Sequence, residues 1–406
     1  MSNLLWPGDH RAGDLFTDSA FLDAMLRVEA AWSTGLVAVG VAPPGAEVSV
    51  EVLRDLIGDN AVDEIAIAAE AGGNPVIPMV RNLRSRLGDG PAATWLHRGM
   101  TSQDVVDTAL MYCAADTFAQ LREEVDRQIS ALSGLAVTHR KTSMVARTLT
   151  QSAVPMTFGL KAAQWLRGAL DARDDLGRSE FPAQFGGAAG TSAAIVELAG
   201  PDVGAAVAIE AAVHAAARLG LRPSSPWHSV RTAITRGADA ALGCTDAWGH
   251  IANDVLTLSR PEIGEVTEGE GGASSTMPHK ANPVLSVLIR RTALAAPPLG
   301  ATLHLAAADA ADERSPGAWH VEWDTLRILL RRTAIAAQQA TRLVTGLRIH
   351  ADRMSANLAA TGAAITSEQS TMAEVAGHEP ADEYLGAAQL FIDAQLDRAV
   401  VRKEDR

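Results

Sequence analysis

The stretch QDVVDTALMYCAADTFAQLREEVDRQISALSGLAVTH, residues 103–139, contains no proline and a single glycine. Because nothing in it breaks a helix, it predicts one helix of about 36 residues, roughly 54 Å long at 1.5 Å per residue. The mean helix of a globular protein has only about 11–12 residues. A helix of this length needs packing partners along its whole surface, so the stretch predicts a bundle of long helices.

Further long helices are predicted on both sides of this stretch. Residues 21–39 and 51–71 repeat apolar side chains at three- and four-residue spacing. The other candidates are residues 155–177, 201–219, 227–260, 282–312 and 319–346. Residues 205–217 and 238–258 are apolar on nearly every side, and such helices have to be buried on every side. We interpret this as packing against copies of the same chain; a large core within one chain is the alternative.

Composition excludes several classes of protein. The 406 residues carry 35 Lys and Arg against 48 Asp and Glu, a net charge of −13, which argues against binding to nucleic acid or to anionic membranes. Cys113 and Cys244 lie far apart, so we expect reduced thiols and no disulfide framework. The chain has no signal-like start and no uncharged stretch of 18 apolar residues. These features predict a soluble, cytoplasmic protein with no membrane span.

Two glycine-rich segments interrupt the helical pattern, QFGGAAGTS at 184–192 and EGEGGASSTMPHKAN at 268–282. The second combines hydroxyls at 274–276 with Lys280, and Asn282 followed by proline is a good helix start. Hydroxyls, a cation and a helix N-terminus together favour an anion. A glycine-rich loop that brings such groups over a bound anion is typical of a catalytic lid.

Three motifs resemble one known family. SSTMPHKANP, residues 274–283, resembles the signature of the fumarase/aspartase superfamily. HRGMTSQD, 97–104, and RTLTQSAVPMTFG, 147–159, resemble segments of its branch of adenylosuccinate lyases and carboxymuconate cycloisomerases. The resemblance covers about residues 10 to 360.

The resemblance implies an all-α fold, a fumarase/aspartase-like bundle of long helices with a truncated C-terminal helical region. It divides the chain into an N-terminal helical domain (1–100), a central bundle (101–346) with the catalytic loop 268–282, and a shortened C-terminal region (347–406). It also implies a homotetramer in which different chains contribute segments to each active site. No metal or organic cofactor is required by the family's chemistry.

The same resemblance assigns roles to individual residues. Ser274 matches the base that removes a proton next to a carboxylate. Lys280 and Asn282 match groups that hold the loop and the carboxylate, although Asn282 has a second reading as a helix cap. The residues implied to bind substrate are Thr101, Ser102, Gln151, Ser152, Ser275, Lys280, Asn282 and Arg314. A Thr-Ser pair before a helix is ordinarily an N-cap; the motif around this pair favours carboxylate binding instead.

Two positions depart from the pattern. Many relatives have a histidine at position 152 that gives a proton to the leaving group, and adenylosuccinate lyases pair it with a glutamate at position 287. This chain has Ser152 and Val287. A serine is a poor proton donor, and general acid catalysis is typically worth about 10²–10⁴-fold. The substitution therefore favours a leaving group that needs no proton.

These observations predict a lyase or cycloisomerase of the superfamily that acts on a small di- or tricarboxylate, nearest to 3-carboxy-cis,cis-muconate cycloisomerase. One alternative is β-elimination from a substituted succinate to fumarate, such as nitrosuccinate giving fumarate and nitrite. The alternative of another class is a catalytically inactive structural homologue.

Overall fold

The computed structural model describes residues 3–269, 272 and 281–401. The fold is all-α, as predicted, with two short pairs of strands. In chain order the elements are α1 (Asp18–Ala38), α2 (Val50–Ile57), α3 (Ala61–Ala69), α4 (Val76–Leu87), α5 (Pro91–Trp95), α6 (Ser102–Thr138), β1 (Ser143–Thr148), β2 (Gln151–Thr157), α7 (Phe158–Arg178), α8 (Ala193–Ala199), α9 (Gly204–Leu219), α10 (Thr232–Leu258), β3 (Val266–Thr267), α11 (Val284–Ala308), α12 (Ala318–Gly346), β4 (Arg348–Ile349), α13 (Ala351–Ala360), α14 (Ser367–Ala376) and α15 (Ala388–Val401). In the part of the chain so described, no helix is long and apolar enough to cross a membrane.

The longest helices follow the sequence prediction closely. α6 has 37 residues and begins one residue before the stretch predicted from the absence of proline. α10, α11 and α12 have 27, 25 and 29 residues. Helices of this length are held by packing along one another rather than by intrinsic propensity. Among the described residues, these four helices are the longest.

The chain forms two compact units. The first consists of Met1–Ala119, Ser179–Asp239 and Pro298–Arg331, and the second of Gln120–Arg178, Ala240–Pro297 and Arg332–Arg406. Since the unit boundaries fall inside α6, α10, α11 and α12, each of these helices contributes residues to both units.

A buried glutamine connects three long helices within the second unit. Gln128 of α6 donates to the Ala337 carbonyl of α12 at 3.0 Å and accepts from the Trp248 indole of α10 at 2.7 Å. α10 and α11 approach closely, because a Cβ at Gly249 would lie 2.6 Å from the Ala293 methyl group. Buried amide and indole groups need such partners, so these bonds fix the relative positions of the helices.

Two parts of the sequence prediction need correction. Residues 51–71 form two α-helices, α2 and α3, because Gly58 takes a positive φ of 85° and ends the first of them. The helix predicted from residue 155 begins at Phe158, and the residues before it form the antiparallel hairpin of β1 and β2.

The turn of this hairpin is strained. Leu149 and Thr150 connect β1 to β2 with positive φ values of 48° and 71°. Two-residue hairpin turns need such angles, and asparagine and glycine adopt them far more easily than leucine or a β-branched threonine. The turn leads directly into Gln151 and Ser152, two of the predicted site residues.

Candidate functional site

The predicted pair Thr101 and Ser102 lies at the start of α6, in the first unit. The helix begins at Ser102, and the backbone N–H of Thr101 donates to the Asp104 carboxylate at 2.9 Å. An acidic side chain that reaches back to the residue before a helix is half of a capping box. The cap therefore comes from Asp104, which leaves the Thr101 hydroxyl for another role.

Arg314 supplies the partner of that hydroxyl. Its Nη2 donates to Thr101 Oγ1, and its Nε donates to the side-chain oxygen of Gln103 at 3.3 Å. The structure thus brings together two residues that the sequence predicted separately, 213 positions apart. Arg314 is half-buried, and an arginine beside a hydroxyl is suited to binding a carboxylate.

Asp104 also holds the first glycine-rich segment in place. Its carboxylate accepts from the backbone N–H groups of Gly186 and Gly187, both at 2.9 Å, and lies 3.0 Å from Nε2 of buried His228. A Cβ at Gly186 would lie 2.7 Å from both Pro226 and His228. These two amides are occupied by Asp104, so this part of the segment supports the start of α6 instead of cradling a ligand.

A buried ion cluster lies one helical turn further along α6. Asp107 accepts from Nη1 and Nη2 of Arg231 at 2.7 and 3.0 Å, and Arg231 also donates to Glu322. Burial alone would lower the pKa of the Arg231 guanidinium, but the two carboxylates raise it above its ordinary value. The arginine stays charged, and the cluster gives the first unit a rigid polar centre.

Gln151 and Ser152 lie at the start of β2, in the second unit, and both are exposed. Ser152 is paired in register with Arg147 of β1. It lines a cavity of about 590 Å³ together with Arg147, Lys161 and Arg260. Among the described residues that line this cavity, none is a histidine. The cavity has the size of a small-molecule site.

A carboxylate partly balances the charge of this cavity. Asp254 of α10 accepts from Lys161 at 3.1 Å and from the Trp165 indole at 2.8 Å. Both donors are on α7, the helix that follows the hairpin. These bonds fix Lys161 against α10.

Asn282 lies at the end of the second glycine-rich segment, where it pairs with Gly272. The N–H of each residue donates to the carbonyl of the other, at 2.9 and 3.1 Å. The sequence prediction made Asn282 the cap of the next helix, but α11 begins at Val284. The acceptor at the start of that helix is the buried Glu268 carboxylate, which the amides of Leu285 and Ser286 reach at 3.0 and 2.7 Å.

Glu268 changes the predicted role of this helix start. A carboxylate at a helix N-terminus neutralises the partial positive charge there. Its oxygens also occupy the amides that the sequence prediction offered to a bound anion. Ser274, Ser275 and Lys280, the remaining predicted site residues, lie outside the described residues.

Several residues of the site were not predicted from the sequence, among them Gln103, Asp107, Arg231 and Glu268. A weak signal exists for Gln103 and Asp107, because polar side chains within largely apolar helical stretches are rare unless they are paired. In the part of the chain that the structure describes, no group of three or more His, Cys, Asp or Glu residues could hold a metal ion.

Comparison with known proteins relates these features to a protein family. A family profile described as "Lyase" matches residues 10–296. A nitrosuccinate lyase from Streptomyces davaonensis is 43% identical over 369 residues, which cover 87% of this chain and 76% of the relative. A 3-carboxy-cis,cis-muconate cycloisomerase from Bradyrhizobium diazoefficiens is 39% identical over 399 residues, 95% of this chain and 84% of the relative.

Solved structures agree with the sequence comparison. The crystal structure of a 3-carboxy-cis,cis-muconate lactonizing enzyme from Pseudomonas putida superposes with a TM-score of 0.84 at 28% identity and covers 96% of both chains. A fumarate lyase from a Mesorhizobium species gives a TM-score of 0.80 at 26% identity, covering 95% of this chain and 97% of its own.

Proposed function

Since the chain belongs to the lyase family of the fumarase/aspartase superfamily, we propose that it is a β-eliminating lyase that converts nitrosuccinate to fumarate and nitrite. The observation that carries the proposal is Ser152, which lines a cavity where the described residues include cations and hydroxyls but no imidazole. Nitrite is a weak base and leaves without protonation. The 43% identity to a nitrosuccinate lyase supports the same choice.

In the proposed reaction, Ser274 takes a proton from the carbon next to one carboxylate. The electron pair of that C–H bond forms the C=C bond of fumarate, and the C–N bond on the neighbouring carbon breaks, so that nitrite leaves with its electron pair. Negative charge develops on the carboxylate as the proton is removed, and donors aimed at that carboxylate lower the barrier. No metal or organic cofactor takes part in these steps.

We assign the groups that bind the substrate from the family's motifs. Thr101, Ser102 and Arg314 bind one carboxylate at the start of α6. Gln151 and Ser152 contact the substrate from the hairpin. The residues that bind from the catalytic loop and its stem are Ser275, Lys280 and Asn282.

We further propose that the enzyme is a homotetramer whose active sites are shared between chains. Support comes from α11, where the exposed side chains of Val284, Val287, Leu294 and Leu305 follow one stripe along the helix. Spacings of three, seven and eleven residues place them on the same face. Leu294→Glu would reduce the mass measured by light scattering, whereas Ile67→Glu, an exposed change on α3, would not.

We place the enzyme in the cytoplasm. The support is that Cys113 and Cys244 are free and buried, and burial raises the pKa of both thiols to about 12. Unpaired structural thiols are typical of a reducing compartment.

A cycloisomerase acting on 3-carboxy-cis,cis-muconate is the second candidate. It is favoured by the 39% identity to a cycloisomerase over nearly the whole chain and by the likeness to a lactonizing enzyme. Both candidates transfer a proton at the carbon next to a carboxylate. They differ in the bond that breaks or forms at the neighbouring carbon.

The deciding experiment offers the purified enzyme both substrates in parallel. Fumarate and nitrite appearing in equal amounts from nitrosuccinate would support the lyase. Loss of the muconate absorbance, with no nitrite released from nitrosuccinate, would overturn the proposed lyase in favour of the cycloisomerase.

A further inference from the structure

The side chain of Gln103 has an orientation fixed by its surroundings. The residue is fully buried, and its Nε2 donates to Asp107 Oδ2 at 3.2 Å and to the His228 carbonyl at 3.0 Å. Both of those atoms are acceptors, so the amide nitrogen has to face them. The amide oxygen then faces the other way, where it accepts from Nε of Arg314 at 3.3 Å.

This orientation determines which edge of Arg314 is occupied. A guanidinium presents Nε–H and one Nη2–H along one edge, and Nη1–H and the second Nη2–H as a fork at its end. Gln103 accepts from Nε and Thr101 from Nη2. The first edge is therefore filled, and the fork has no hydrogen-bond partner among the described residues.

A second support holds the same guanidinium. Its central carbon lies 5.8 Å from the ring centroid of Trp319, and the indole N–H of Trp319 donates to Asp107 Oδ1 at 2.9 Å. Gln103 and Trp319 thus both rest on Asp107, which the buried Arg231 holds in turn. The buried pair of Asp107 and Arg231 therefore fixes the position of the Arg314 guanidinium through Gln103 and Trp319.

We propose that Gln103 is a positioning residue that makes Arg314 present its Nη1/Nη2 fork to one carboxylate of a dicarboxylate substrate. A fork bound end-on to a carboxylate makes two parallel charge-assisted hydrogen bonds. The Thr101 oxygen accepts from Arg314, so its own O–H is left to donate to the same carboxylate. This inference deepens the proposed function and rests on it for the class of substrate.

The test measures succinate binding calorimetrically with the whole enzyme. Gln103→Met keeps the size of the side chain but removes the acceptor for Arg314 Nε together with the donor to Asp107 and the His228 carbonyl. We expect binding about tenfold weaker, the loss typical of one hydrogen bond to a charged group. Arg314→Lys keeps the charge but has no fork, and we expect a similar or larger loss. Thr117→Val is the matched control on α6, because Thr117 donates only to the Cys113 carbonyl of its own helix.

Turnover of the proposed substrate by Gln103→Met distinguishes a positioning role of Gln103 from a merely structural one. A positioning role raises KM about tenfold and leaves kcat within about twofold, because we place at Arg314 the carboxylate on which no charge develops, and its contact is equally strong in ground and transition states. Wild-type affinity in Gln103→Met or in Arg314→Lys would overturn the inference, as would a wild-type enzyme that does not bind succinate.

Different results would contradict the proposed function and the inference on Gln103. If the wild type binds succinate and Gln103→Met weakens that binding, the inference on Gln103 stands even where nitrosuccinate is not turned over. If nitrosuccinate is turned over but Gln103→Met binds succinate normally, the proposed function stands and the inference falls.

Discussion

The guanidinium of Arg147 and the carboxylate of Glu265 meet through two parallel hydrogen bonds of 2.9 and 2.8 Å. Glu265 is fully buried, and Asn357 of α13 donates to the same carboxylate at 2.8 Å. Arg147 is the register partner of Ser152. The ion pair therefore anchors the strand opposite Ser152 to the segment that leads into β3.

Arg147→Met should destabilise the enzyme by about 3 kcal/mol, because it leaves a buried carboxylate without its cation. The measurement is urea unfolding at neutral pH. In the double variant with Glu265→Gln the amide is neutral and still accepts from Asn357, so most of the lost stability should return. Equal losses in the single and double variants would refute the ion-pair explanation.

Ser274→Ala should lower turnover by about 10²–10⁴-fold, the range typical for removing a group that transfers a proton. The mass measured by light scattering should stay that of the wild type, since one hydroxyl is lost. Ser355→Ala, on the exposed side of α13, is the control and should keep full activity. Near-normal turnover by Ser274→Ala would remove Ser274 as the base.

Ser152→His should give the enzyme activity on 3-carboxy-cis,cis-muconate of at least about tenfold over the wild type, because it introduces a general acid at the position where the resemblance to the family implies one. The assay follows loss of the muconate chromophore. Ser152→Ala, which removes the hydroxyl without adding an acid, should show no such gain. High muconate activity already present in the wild type would contradict the proposed elimination.

His97 should make stability depend on pH. Burial alone would lower the pKa of its imidazole, but the buried Glu29 carboxylate, 2.7 Å from Nδ1, outweighs burial and raises the pKa above its ordinary value. A raised folded-state pKa stabilises the protein fully below the unfolded value of about 6.5. That contribution is lost as pH rises through the pKa of the folded state.

The measurement is the melting temperature of wild type and His97→Asn between pH 6 and pH 9, a range of roughly three units that begins just below the ordinary pKa of histidine. The difference between the two proteins should be largest at the acid end and shrink as pH rises. His10→Gln removes an imidazole at an exposed position and is the control for the loss of a histidine. A constant difference for His97→Asn would rule out the charged pair.

The sequence was sufficient to predict the long helices but not the contacts that fix the site. The extent of α6 follows from the absence of proline, because that is a local property of the chain. The bonds from Asp104 to Gly186 and Gly187 join residues more than 80 positions apart, and no spacing rule connects them. The same holds for Glu268, which displaced Asn282 as the acceptor at the start of α11.

The hairpin escaped prediction for a different reason. Sequence reading finds a two-residue hairpin by its turn, and the usual signal is asparagine or aspartate followed by glycine. Here the turn is Leu149 and Thr150, neither of which prefers a positive φ. The β-branched residues Val145, Val154 and Thr157 were the remaining signal for strands.

Substitutions in the turn of Leu149 and Thr150 would raise the thermal stability of the protein. A leucine or threonine in a left-handed conformation costs roughly 1–2 kcal/mol, and an asparagine–glycine pair removes most of that cost. Leu149 is almost entirely exposed, at 95% of its surface, so no packing within the chain is lost. Redesigning these two residues would thus raise the thermal stability of the enzyme, while Gln151 and Ser152 keep their identities.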